Sequence, residues 1–136
     1  MAIDHVAALR TDAAALAAVA ESAPLDTPVP SCPEWDLGRL VGHVGRIHRW
    51  AMEAASNGGA PPGRPPKPPE EGLLDWYEEG AGRLADALAR LDADAPAWNF
   101  AGAPPTVAFW QRRQPVETAV HRWDCLLYTS DAADEL

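Results

Sequence analysis

Three side chains in this 136-residue sequence could grip one cation: His43 in GHVGRIH, and Glu117 with His121 in ETAVHRWD. The last two are four residues apart, which on a helix stacks them on one face with Cβ atoms roughly 5–6 Å apart. A third nitrogen from a separate helix would make a zinc-type centre with three protein ligands and an open position. That is the catalytic pattern, not the closed structural one. An E-x-x-x-H pair alone is a cheap match, so the reading depends on His43 also facing the interior.

The elements around these residues read as helices. Asp4 is a plausible N-cap for a first helix to about Ser22, with Val6, Leu9, Ala13, Leu16 and Ala20 at helical spacing. Pro24, Pro28, Pro30 and Pro33 then enforce an extended connector. Asp36 is a second N-cap, and Leu40, His43, Ile47 and Trp50 fall on one stripe, flanked by Leu37, Val41, Val44 and Ala51, which points His43 inward. Residues 57–69 are too rich in glycine and proline for a core element and read as an exposed loop. A third helix is expected from near Glu70, with Leu73, Leu74, Tyr77, Leu84, Leu88 and Leu91 on its apolar stripe. After a connector over 93–105, the last helix is expected from around Thr106, carrying Phe109, Trp110, Val116, Val120 and Trp123 inward. Pro115 predicts a kink or a restart in it. Four helices and no strand candidate give an all-α four-helix bundle, a fold that builds metal sites from facing helices.

The length suits one domain with one core. The net charge of −9, with no basic stripe, argues against nucleic acid as a partner. No run approaches a membrane span, and Asp4 and Asp12 flank the Ala13 to Ala20 segment where a signal peptide would be positive, so a cytoplasmic protein without a membrane partner is expected. The final residues, CLLYTSDAADE from Cys125, read as the in-frame translation of a transposase-type sequencing-library adapter. We therefore expect residues 1–124 to form the domain and 125–136 to be a non-native tail that continues neither helix nor strand, truncating the last helix. Without that tail, Cys32 is the one remaining cysteine and no disulfide can form.

Other residues have weaker claims. Asp124 shares a helical face with Glu117 and His121 and could orient a ligating imidazole. Arg112 and Arg113 could hold a substrate carboxylate. His48, roughly 140° round the helix from His43, is expected to be exposed, Cys32 to be a small packed thiol, and the six tryptophans to be core and loop anchors.

The runs VPSCPEWDLGRLVGHVGRIHRW and FWQRRQPVETAVHRWD together resemble the N-terminal metal-binding domain of the mycothiol-dependent maleylpyruvate isomerase family, within the DinB-like four-helix bundles. The resemblance covers nearly all of the chain before Cys125. It implies zinc or another divalent cation on His43, Glu117 and His121, mycothiol as the thiol cofactor, and a small-molecule substrate. The implied reaction is cis–trans isomerisation by thiol addition and elimination. A mycothiol- or bacillithiol-type S-transferase and a non-catalytic metal-binding module are the other readings, and the oligomeric state is left open. Pro115, two residues before Glu117, departs from the family pattern, as does the end of the last helix.

Overall fold

A computed structural model describes residues 4–57, 59–61 and 65–134, with side chains as far as Arg122 apart from that of Pro33. Four helices run in the order α1 (His5–Ser22), α2 (Leu37–Asn57), α3 (Leu73–Arg90) and α4 (Val107–Asp134). They form a bundle in which α2 packs along α3 and α4, and α1 packs along the same two helices, with α1 and α2 on one diagonal. Among the described residues no helix is long and apolar enough to cross a membrane.

The caps follow local chemistry. The Asp4 side chain accepts from Ala7 N at 2.9 Å, and Asp36 Oδ1 accepts from Arg39 N at 2.8 Å, satisfying donors that have no partner within the helix. The α1–α2 connector departs from an all-helical chain through a short antiparallel pair of strands, β1 (Pro28–Val29) and β2 (Cys32–Asp36), and an isolated antiparallel bridge joins Pro96 to Thr106 between α3 and α4. Proline-rich backbone is already extended, and burial of Val29 draws the pair onto the bundle. The connector also starts α2, since Leu37 N donates to Thr27 O and Gly38 N to Leu25 O at 2.8 and 2.7 Å. At the other end of the molecule the 93–105 connector does the same for α4, where Val107 N and Ala108 N donate to Ala95 O and Ala93 O.

Several expectations need correction. α3 begins at Leu73, not near Glu70, because Gly72 takes the left-handed conformation (φ 70°) at its N-cap. Leu91 lies just past its C-terminus and caps it through Ala87 O. α4 neither breaks nor restarts at Pro115, which is buried inside a continuous helix held between α1 and α2. Its backbone also runs on through the expected tail, whose residues to Asp134 include no proline or glycine to stop propagation. Val116 and Val120 point outward, 57% and 53% exposed, while Val107, Trp110, Gln114 and Thr118 form the inward stripe. The Trp123 and Asp124 side chains lie outside the described residues.

His48 is fully buried, not exposed. The buried stripe of α2 runs through Leu37, Val41, Val44, His48, Ala51 and Ala55, so its centre lies to one side of the His43 stripe. Two apolar clusters share the interior. Leu16, Leu40, Val44 and Tyr77 are in one, and Leu9, Ala51, Leu84, Val107 and Trp110 in the other. Between Val44 and Ala51 along α2, His48 Nε2 meets Thr118 Oγ1 at 2.8 Å, joining α2 to α4. Gly45 permits close approach on another side of α2, because a Cβ there would collide with the Trp76 ring of α3, over which the Arg49 guanidinium lies at 4.7 Å.

Two stability measurements follow. Gly45→Ala forces Trp76 aside at an overpacking cost of about 1–3 kcal/mol, partly offset by roughly 1 kcal/mol of helix propensity, so urea denaturation should show a net loss of about 1 kcal/mol. Burial, then the nearby His121, pushes the His48 pKa down to about 4. The unfolded chain therefore binds a proton on His48 that the folded chain refuses as pH falls below 6.5, and the stability so lost should reach about 2–3 kcal/mol by pH 4.5. His48→Gln should lose that much less between pH 7 and pH 4.5; equal losses in both proteins would show that His48 is not held neutral.

Candidate metal centre

The three ligand candidates converge. One nitrogen of His43, one carboxylate oxygen of Glu117 and one nitrogen of His121 lie within 4.8 Å of one another, and all three residues are partly buried. Connector carbonyls and Asp36 fix the start of α2 and so bring His43 to the site. Glu117 and His121 come from α4 at the anticipated i,i+4 spacing, with His121 Nε2 and Glu117 Oε1 at 3.1 Å. The His43 and His121 rings meet edge to face with centroids 5.1 Å apart, and Trp35 of β2 lies tilted against His43 at 5.0 Å. Two donors on one tetrahedral zinc lie about 3.3 Å apart, so small rotations of these side chains would close them round an ion.

The electrostatics suit a cation. Burial, then the neighbouring His121, holds the His43 pKa below its usual value, opposed by the Glu117 charge, and leaves the imidazole with a free lone pair at neutral pH. The hydrogen bond with His121 holds the Glu117 carboxyl below the usual carboxylate range, with Arg113 helping and burial opposing. Two imidazoles and one carboxylate form a nitrogen–oxygen donor set of a kind that zinc takes.

Arg113 stands beside this cluster. Its Nη2 is 3.4 Å from Glu117 Oε2, its Nη1 donates to Gln114 Oε1 at 2.6 Å, and its guanidinium covers the Phe100 ring at 4.8 Å. It therefore meets the carboxylate edge away from His121. Arg112 is exposed and faces a different groove, beside Pro104, Phe109 and Val116. Asp124 cannot be placed against the ligands, because its side chain lies outside the described residues. Cys32 is a partly buried free thiol in β2.

Three neighbours escaped the sequence reading. Thr118 and Gln114 are fully buried next to the ligands, and their signal was their place at i+1 and i−3 from Glu117. Arg46 follows His43 by one turn, and its Nη2 donates to Pro65 O at 3.3 Å.

No curated protein and no solved structure matches this chain. A family model does, the mycothiol maleylpyruvate isomerase N-terminal domain, over residues 6–125, which takes in all four helices in whole or in part and every ligand candidate. On the strength of that span, the chain belongs to the mycothiol maleylpyruvate isomerase N-terminal domain family.

Proposed function

We propose that this chain binds a divalent cation, zinc by preference, through His43, Glu117 and His121, and serves thiol-dependent cis–trans isomerisation of a maleylpyruvate-like substrate. The observation that carries this reading is the convergence of three donor atoms from two helices within 4.8 Å. Family membership supports a link to mycothiol, and the donor set supports a site with room for a further ligand. When bound, such a cation would lower the pKa of a thiol or water beside it, while the thiol cofactor would supply a nucleophile that adds reversibly to a conjugated double bond.

The protein's own groups have distinct tasks. His43 and His121 offer imidazole nitrogens. Glu117 offers the anionic oxygen, and Arg113 holds that carboxylate from its other edge, limiting its rotation. Trp35 packs at a tilt against the His43 ring and restrains its orientation. A cytoplasmic location, where a reduced small thiol would be at hand, fits this chemistry.

Equilibrium dialysis should find one zinc per chain. His43→Ala and His121→Ala should each weaken binding by more than the 10–100-fold typical of lost outer-shell partners, whereas His5→Ala, outside the cluster, should leave it unchanged. Unaltered affinity in both ligand variants would remove the assignment. With maleylpyruvate and mycothiol, the zinc-loaded chain should form the trans isomer without net loss of thiol. Stoichiometric consumption of thiol would point to S-transfer instead, and neither reaction to a binding module.

A further inference from the structure

A groove of about 740 Å³ opens directly onto the outer side of His43. Its floor is one face of α2, carrying Arg39, His43 and Arg46, and its walls include Trp35, Pro68 and Leu73. This volume matches that of a small-molecule site.

Arg46 and Arg39 differ within it. Arg39 is exposed. Arg46 is partly buried, and the 3.3 Å bond from Nη2 to Pro65 O restrains its fork, while its buried Nε has no hydrogen-bond partner among the described residues. The Arg46 fork lines the groove, and a carboxylate there would add charge-assisted hydrogen bonds to the single one it makes with Pro65 O, since the fork matches two carboxylate oxygens. The acidic groups along the same groove do not fill that role: Asp36 is engaged in capping Arg39 N, and Asp26 and Glu70 are exposed. Arg113, the other arginine near the cluster, is already engaged by Glu117 and Gln114.

We propose that Arg46 is the carboxylate-binding residue of this groove, holding the anionic end of a small carboxylic acid while the remainder of the ligand lies along α2 toward His43. The role rests on the metal-site reading only for what happens at the far end of the ligand; the anion subsite itself is a property of Arg46 and its groove. The recognised class is a small acid with at least one free carboxylate and a short unsaturated or polar body, which the apolar walls and the limited volume accommodate.

Calorimetric titration with maleate, a cis-dicarboxylate probe, tests this on the chain with and without zinc. Arg46→Gln should weaken maleate binding about tenfold or more, with zinc affinity within about twofold of the parent. Arg46→Lys, which keeps the charge and loses the fork, should recover part of the loss, and Arg90→Gln, outside the groove, should change binding by less than about twofold. Melting temperatures of the variants identify any that fails to fold, and Arg46→Lys, which keeps the stem and the charge, then decides. Maleate affinity unchanged in both Arg46 variants overturns the proposal, as does a zinc-binding parent that takes up no maleate, which would leave the metal reading intact. Failure to bind zinc would remove the metal reading alone if the metal-free chain still binds maleate through Arg46.

Discussion

A helix that turns a carboxylate and an imidazole toward the inside of a bundle must also turn the residues beside them, and in α4 these are Gln114 and Thr118, both fully buried. Unpaired, such groups would cost several kcal/mol of roughly the size that decides whether a small domain folds. The Thr118 hydroxyl meets His48 Nε2 at 2.8 Å, and Gln114 Oε1 accepts from Arg113 at 2.6 Å. The first of these crosses from α2 to α4 and so bears on the rotation of α4 about its axis, whereas the second lies within α4 and leaves Gln114 Nε2 without a hydrogen-bond partner among the described residues. A turn that brought Val116 and Val120 inward would expose Val107 and Trp110 and carry Glu117 and His121 away from His43.

The height of the two ligand helices is fixed by a different device. α2 and α4 each begin where a proline-rich connector lends backbone carbonyls to their first free N–H groups, through Thr27 and Leu25 in one case and Ala95 and Ala93 in the other. The second connector is tied further by Trp110 Nε1, which donates to Trp98 O at 2.7 Å, and by Asn99, which bonds Ala101, Ala103 and Pro104. Gln111 reaches back from α4 to the last carbonyls of α3, Leu88 O and Leu91 O. These bonds are local and directional, so they define where each helix starts more sharply than apolar packing does.

The same interior selects protonation states. His43 and His48 are both disfavoured as cations by burial, and Glu117 is held anionic by its hydrogen bond with His121. One imidazole therefore keeps a lone pair at the site and the other keeps a polar contact between helices. Glu117 thus gives the donor cluster a partly buried anionic oxygen, which favours a cation there.

The sequence by itself determined the four helices, the Asp4 and Asp36 caps and the identity of the three converging residues, because periodicity, side-chain caps and i,i+4 spacing are local properties that a reader of residues can measure. It also carried the family signature. It did not determine which face of α2 and α4 lies at the centre of the bundle. Valines at 116 and 120 look like core residues one at a time, and His48 looks like a surface residue, but burial belongs to the set of neighbours a helix meets. Only the tertiary structure decided that α2 is enclosed by both α3 and α4, so that a second stripe through His48 is buried beside that of His43. It likewise decided that the extended connector pairs as β1 and β2 and that Pro115 is carried inside a continuous helix, since packing on both sides outweighs a single missing backbone donor.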